Sequence, residues 1–120
     1  MSTTVTAVAM AAAFNLTCSG MAQFTDTDGN ISRRAYTETY RVDPPHHLWC
    51  QGECQSPNPL KAISDAVIVF YDFRDGDDVA RETVDRKSGA HSVSARKIGS
   101  KMRFSREGRC TVQPFSGFPE

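Results

Sequence analysis

Residues 66–73 read AVIVFYDF and form the most apolar stretch of the chain. A short run of β-branched and aromatic residues is typical of a strand buried on both faces. Residues 75–78 (DGDD) follow as a polar turn, and residues 79–86 continue as the next strand. The stretch therefore predicts a central β-hairpin. Residues 61–65, which precede it, predict one helical turn.

Segments of alternating polarity flank this hairpin on both sides. The predicted strands are 14–20, 31–42 and a short 47–50 before it, and 90–96, 102–106 and 109–113 after it. Glycine-containing turns at 28–29, 87–89, 98–101 and 107–108 separate them, and Pro44-Pro45 ends the second strand because proline cannot donate to a ladder. In a 120-residue chain this pattern predicts one all-β domain, a small antiparallel meander closed into a barrel, with a β-sandwich as the alternative.

Four cysteines, Cys18, Cys50, Cys54 and Cys110, predict two disulfides. Gly52 allows the chain to turn, so a local Cys50–Cys54 bridge is geometrically easy. Cys18 and Cys110 each lie on the apolar face of an alternating segment, and a bridge between them would join the first strand to the last. Closing a loop of that length is worth about 4–5 kcal/mol in the chain-entropy model. This bridge favours the barrel over the sandwich.

A zinc site made of His46, His47, Cys50 and Cys54 is the alternative use of two of these cysteines. The spacing fits no common zinc module, and Cys18 and Cys110 would be left unexplained. We therefore expect no metal and no cofactor.

Residues 5–13 read VTAVAMAAA, an uncharged apolar run that is typical of the end of a secretory signal peptide. The interpretation divides the chain into a signal-peptide remnant or lead-in at 1–13 and a single β domain at 14–120. The run is too short to span a membrane, so no transmembrane segment is expected. Together with the disulfides it predicts a periplasmic or secreted protein.

Several short motifs carry a resemblance to other proteins. They are Phe14-x-Leu16-x-Cys18-x-Gly20, Trp49-Cys50 with Cys54, Asp85-Arg86-x-Ser88-Gly89, Gly108-x-Cys110 and the ending FSGFP at 115–119. In these the chain resembles a group of small uncharacterised secreted proteins of alphaproteobacteria, over nearly all of residues 14–120. The resemblance implies a location in the bacterial envelope and no particular activity. The chain is also loosely similar to calycin-like barrels and to periplasmic lysozyme inhibitors, although it contains no inhibitory-loop motif.

Charge is unevenly distributed although the formal net charge is zero. Residues 81–109 hold nine Lys or Arg and three Asp or Glu. The residues predicted to bind a partner are Arg33, Arg34, Arg96, Lys97, Lys101 and Arg103. They predict a basic face that docks an anionic partner, such as an envelope protein or an anionic glycan, and the alternative is that they are solvated outer positions of strands. Nucleic acid is not expected as a partner of a secreted protein.

Catalytic motifs are weak. The carboxylates of Asp75, Asp77 and Asp78 belong to a wet turn, and the run from Asp26 to Asn30 departs from the EF-hand calcium pattern. No G-x-S-x-G, phosphate loop or dinucleotide fingerprint is present. We therefore predict a protein that is not an enzyme. A hydrolase is the last alternative, and it would need a cleft that joins His91 or His47 to a carboxylate and a nucleophile.

Aromatic residues suggest a second kind of site. Tyr36, Tyr40 and Trp49 are predicted to surround a ligand pocket, with a core position for Trp49 beside the disulfide as the alternative. The bulky residues expected to point inward favour a filled interior: Phe14, Leu16, Tyr40, Val69, Phe104 and Val112. The prediction is therefore a non-enzymatic binding or interaction module. Partner docking is the first choice, and a carrier of a small apolar ligand is the second.

Overall fold

The computed structural model describes residues 12–118. They form one antiparallel sheet of nine strands: β1 (Phe14–Thr25), β2 (Ile31–Asp43), β3 (Leu48–Gln51), β4 (Asn58–Pro59), β5 (Ala62–Ile63), β6 (Val67–Asp75), β7 (Asp78–Asp85), β8 (Ala90–Lys97) and β9 (Arg103–Pro114). A short 3₁₀ helix (Pro44–His46) separates β2 from β3. The predicted signal-peptide remnant lies almost entirely outside the described residues. Residues 12–118 contain no helix that is long and apolar enough to cross a membrane.

The sheet has the order β4-β3-β2-β1-β9-β8-β7-β6-β5 and curls into a half-barrel. Strands β1–β4 and β5–β9 are two meanders, and they meet where β1 pairs with β9 from Phe14↔Pro114 to Thr25↔Arg103. This confirms the prediction of an antiparallel β fold whose first and last strands are neighbours. The two edges of the sheet are therefore β4 and β5, which follow one another in the chain.

Both predicted disulfides are present. Cys18 and Cys110 are directly opposite in the β1–β9 register, with their Cα atoms 3.9 Å apart. Cys50 and Cys54 close the loop after β3. Because Cys50 and Cys54 are bonded to each other, their sulfurs are not available as thiolate ligands for the zinc alternative.

Three local predictions are wrong. The predicted central hairpin, β6 and β7, lies at one side of the sheet, where β6 is followed only by the two-residue edge strand β5 and its second half is exposed. The predicted turn at 107–108 is part of a continuous β9, because Gly108 pairs with Gly20 and the two strands approach so closely that a side chain at either position would collide with backbone. The predicted helical turn at 61–65 is instead the short strand β5. There the Lys61 N–H donates to the carbonyl of Val69, which ties the segment to the edge of β6.

The two ends of the half-barrel differ. At the closed end, a cluster of buried residues fills the interior: Leu16, Cys18, Tyr40, Val42, Trp49, Leu60, Ile68, Phe70 and Val84. Here the Leu60 N–H donates to the carbonyl of His47 (2.8 Å), so the chain between β4 and β5 ties the two sheet edges together. At the open end, around the turns 26–30, 76–77 and 98–102, the large apolar residues are exposed: Met21, Phe24, Ile31, Phe73 and Met102.

Candidate functional site

Register and alternation place three rows of side chains across the inner face of the sheet, the face that carries the buried Leu16, Cys18 and Tyr40. Nearest the core is the tyrosine row: Tyr36, Gly20, Gly108, His91, Val84 and Ile68. Next is the arginine row: Arg34, Ala22, Arg106, Val93, Glu82 and Tyr71. Outermost is the phenylalanine row: Ser32, Phe24, Phe104, Ala95, Ala80 and Phe73.

The tyrosine row separates the filled core from the open end. The Tyr36 hydroxyl reaches from β2 to β8, where it lies 2.7 Å from His91 Nδ1. Between them in the row are Gly20 and Gly108, and a Cβ atom on Gly108 would lie 2.5 Å from the Tyr36 hydroxyl oxygen. The two glycines therefore leave the space in which the Tyr36 side chain crosses the sheet.

A buried polar network supports this crossing. Glu82 and His91 are both about 2% exposed, and His91 Nε2 lies 2.7 Å from Glu82 Oε2. The Tyr40 hydroxyl donates to the same carboxylate oxygen at 2.5 Å. Because that oxygen accepts both hydrogen bonds, Nδ1 of a neutral His91 is left to accept the Tyr36 hydroxyl hydrogen. The network gives every one of these buried groups a partner, as a buried polar cluster requires.

All three tyrosines of the chain have a raised pKa. Burial is the largest cause for each, because it disfavours the phenolate. The Glu82 carboxylate adds to the effect, and together they raise the pKa of Tyr71 to about 12. The phenols of Tyr36 and Tyr40 therefore remain protonated hydrogen-bond donors near neutral pH.

His91 also lies beside the disulfide of Cys18 and Cys110, with its ring nitrogen and both sulfurs within 4.8 Å of one another. The two sulfurs are bonded to each other, so they offer no thiolate to a metal. A hydrolase, the last alternative from the sequence, would need a histidine, a carboxylate and a nucleophile in one cleft. The His91–Glu82–Tyr36 arrangement joins such groups, but His91 is enclosed and both of its ring nitrogens are occupied.

Arg106 is the charged centre of the arginine row. Its guanidinium carbon lies 5.1 Å from the Tyr36 ring centroid and 5.3 Å from the Phe104 ring centroid. Its Nη2 is 3.9 Å from Glu38 Oε1, which is a weak ion pair. Its Nε is buried and has no hydrogen-bond partner among the described residues. The Arg106 guanidinium therefore packs against the rings of Tyr36 and Phe104, and its Nε–H makes no hydrogen bond to the described residues.

Two adjoining concavities line the open end and share Phe24 and Phe104. One measures about 400 Å³ and is bounded by β2, β1 and β9, with Arg34, Tyr36 and Arg106 among its walls. The other measures about 340 Å³ and lies over the alanines of the phenylalanine row, between Phe73 and Met102, with Asp75 and Asp78 at its rim. Together they form the trough. Its floor is low where the rows carry alanines, which are Ala22 in the arginine row and Ala95 and Ala80 in the phenylalanine row.

The pleat divides the residues predicted to form one basic face. Arg33, Arg96 and Arg103 lie on the outer face, where Arg96 is directly opposite Arg103 and Arg33 Nε donates to Gln23 Oε1 at 2.9 Å. Arg34 and Lys97 lie on the inner face, and Lys101 lies in the turn before β9. All of these residues except Lys101 line the two concavities, the outer-face arginines included. Their role in partner binding stays a prediction.

The predicted pocket residues are also separated. Tyr40 and Trp49 lie in the core of the closed end, with ring centroids 6.2 Å apart, and only Tyr36 reaches the trough. Sequence reasoning missed Arg106, Phe24, Phe73 and Glu82 as site residues. The alternation of Phe104, Arg106 and Gly108 is the signal that would have found the first of these, but the predicted turn at 107–108 concealed it.

No protein-family model, curated protein or solved structure matches the chain.

Proposed function

We propose that the protein is a non-enzymatic binding module whose trough takes up a small amphipathic anion. The observation that carries this proposal is the Arg106 guanidinium, which lines the trough beside exposed phenylalanines and has one long ion pair, 3.9 Å to Glu38. Its Nε is buried without a partner, which costs free energy, and rotation of the side chain toward an anionic acceptor would recover the missing hydrogen bond. Exposed aromatic side chains likewise gain by covering their surface with an apolar body.

The rows suggest how such a ligand would lie. Adjacent rows are two residues apart, which is about 7 Å along a strand. An anionic headgroup at Arg106 would therefore place its apolar body against Phe24 and Phe104, over the alanine floor and toward Phe73. The volumes of the two concavities, about 340 and 400 Å³, fall in the range of small-molecule sites.

The packed rings of the core offer no such room. The concavities of the closed end lie beside these rings, one of about 600 Å³ at Arg41 and Phe118 and one of about 180 Å³ at Phe14 and Val112. Tyr40 stacks on Phe70 with centroids 4.9 Å apart, and Trp49 packs on the same ring at 4.8 Å. The ligand therefore belongs in the open end and not in the core. Two disulfides favour an oxidising compartment, which supports a periplasmic or secreted site of action.

Two fluorescent probes that share one aromatic body test the proposal. Anilinonaphthalene sulfonate carries a sulfonate, and N-phenyl-naphthylamine is its uncharged counterpart. We expect the sulfonate to bind about tenfold more tightly, since one charge-assisted hydrogen bond is worth about 1.5 kcal/mol or more. Decanoate should displace it. Equal affinity for the two probes would contradict an anion site.

The variant Arg106→Met should reduce the affinity for the sulfonate about tenfold and leave that for the uncharged probe within twofold. Arg109→Met is the matched control, because it lies on the same strand but on the outer face and lines neither concavity. Phe104→Ala should lower the affinity for both probes, because it removes apolar contact surface that both of them use. Thermal unfolding of each variant separates loss of binding from loss of fold. The proposal fails if Arg106→Met binds the sulfonate as tightly as the unchanged chain does.

A second candidate function is docking of an anionic partner on the outer face. It is favoured by the pairing of Arg96 with Arg103, because like charges placed directly opposite are destabilising until an anion neutralises them. A salt-sensitive association that Arg96→Gln and Arg103→Gln abolish, and Arg106→Met does not, would support this function.

A further inference from the structure

The edge of β2 is open along the trough. β2 pairs with β3 only from Tyr40 to Asp43, so within the described residues the segment Ile31–Glu38 has β1 on one side and no strand on the other. The segment is eight residues long and contains no proline or bulge that would block another strand.

Alternation fixes which backbone groups face outward from this edge. The Gly52 N–H donates to the carbonyl of Thr39 at 2.8 Å, so Thr39 points its backbone groups away from β1. In an antiparallel ladder the same direction recurs at every second residue, which assigns Thr37, Ala35 and Arg33 to the open edge. These residues carry the donors and acceptors that an added strand would use.

We propose that this edge pairs with the same edge of a second copy of the chain. The pairing is antiparallel and symmetric about Tyr36, and it joins the two half-barrels into one continuous sheet. Ala35 lies opposite Thr37 of the second copy, and Thr37 lies opposite its Ala35. The proposal concerns an interface and does not rest on the proposed ligand site.

Charge complementarity selects this register. In it Arg34 lies directly opposite Glu38 of the second copy, and the symmetry produces this ion pair twice. Shifting the centre to Arg34 would place the two Arg34 side chains opposite each other, which is destabilising. Shifting it to Ala35 would place Arg34 opposite Tyr36, and shifting it to Thr37 would place Glu38 opposite Tyr36, with no direct ion pair in either case. In the single chain Glu38 faces Arg106 at 3.9 Å and is 29% exposed, so it remains accessible from the edge.

The contact is small, so the dimer should be weak. Stable interfaces usually bury about 1,200 Å² or more in total, and one strand pair falls below this. We therefore expect a concentration-dependent equilibrium with a dissociation constant on the order of 10–100 μM. From concentrations well below this range to concentrations well above it, sedimentation of the chain should move from 13.2 kDa toward twice this mass.

Two charge reversals test the register. Arg34→Glu places Glu opposite Glu38, and Glu38→Arg places Arg opposite Arg34, so each variant alone should be a monomer. Mixed in equal amounts they should form a heterodimer, because every opposing pair is then of unlike charge. Arg33→Glu is the matched control, since residue 33 lies on the other face of the same strand.

Thr37→Pro supplies a test that does not depend on charge. It removes an outward-facing N–H from the edge without touching the ladder with β1, so it should also be monomeric. Far-ultraviolet circular dichroism of each variant verifies the fold. An unchanged chain that stays monomeric at about 1 mM overturns the proposal. So does a mixture of the two folded charge-reversal variants that fails to associate.

Discussion

The closed and open ends of the half-barrel are built on the same strands but differ in what their inner side chains fill. At the closed end Tyr40, Trp49 and Phe70 meet across the interior. At the open end Ala22, Ala95 and Ala80 stand where larger side chains would fill the interior, and Phe24 and Phe73 are 41% and 48% exposed. The difference shows that side-chain volume, and not strand arrangement, decides where a curled sheet is a core and where it is a trough.

The tyrosine row is the boundary between the two ends. Tyr36 crosses Gly20 and Gly108 to reach His91, and Glu82 holds His91 from the other side. The hydrogen-bonded side chains of this row lie between the core and the solvent in the open end. Their polar groups can be buried there because each has a hydrogen-bond partner.

The two disulfides should differ in how much each contributes to the free energy of unfolding, and this is the largest effect that we expect. Removing the Cys18–Cys110 bridge as the double alanine variant should lower the free energy of unfolding by about 4–5 kcal/mol, because it closes a loop across 92 positions. Removing Cys50–Cys54, which spans 4 positions, should cost about 2 kcal/mol. Urea denaturation measures both values. Equal losses would mean that joining the first and last strands is not what stabilises the sheet.

A matched pair of phenylalanines on β6 measures the contrast between the ends directly. Phe70 is 1% exposed in the core, and Phe73 is 48% exposed in the trough. Phe70→Ala should cost about 3–5 kcal/mol, whereas Phe73→Ala should cost less than about 1 kcal/mol. Urea denaturation measures both losses. A loss for Phe73→Ala as large as that for Phe70→Ala would contradict the exposed position of Phe73 in the trough.

Alkaline titration tests the boundary. The folded pKa of every tyrosine lies above the ordinary value of 10.0, so neutral phenols contribute stability below that pH. This stability is lost as the pH rises through the folded values, of which that of Tyr71 is about 12. Phenolate absorbance should therefore appear at a pH above the ordinary pKa of 10.0, together with unfolding. Titration of three phenols near pH 10 in a protein that stays folded would contradict the buried network.

The smallest expected effect concerns two turns. Backbone N–H groups of Asn30 and Asp28 lower the pKa of Asp26, and those of Ser88 and Lys87 lower the pKa of Asp85. Both carboxylates therefore stabilise the fold above their ordinary value of 3.8, and this contribution is lost as the pH falls below it. The double variant Asp26→Asn, Asp85→Asn should show a shallower loss of thermal stability in acid. An unchanged slope would show that these turns do not titrate with folding.

Much of the fold followed from the sequence because its signals are local. Alternation predicted most of the strands, and the parity of Cys18 and Cys110 predicted their bridge. The trough did not follow, because it depends on which residues become neighbours across strands. Arg106 joins Phe104 and Tyr36 only once β9 is continuous and β1 lies between β9 and β2. The bulge on β6 at Val69–Tyr71 keeps Phe73 in the phenylalanine row. Nothing in the sequence of the apolar run at 66–73 indicates this bulge.

A methyl-resolved magnetic resonance titration with decanoate shows where a ligand binds. If the trough is the binding site, shifts should appear at the methyl groups of Ala22, Ala80 and Ala95 on its floor. No shift should appear at Val42 and Ile68 in the core, and none at Ala90 on the outer face of β8, which lines neither concavity. Shifts that cluster in the core or at Ala90, with the trough floor unchanged, would contradict the proposed site.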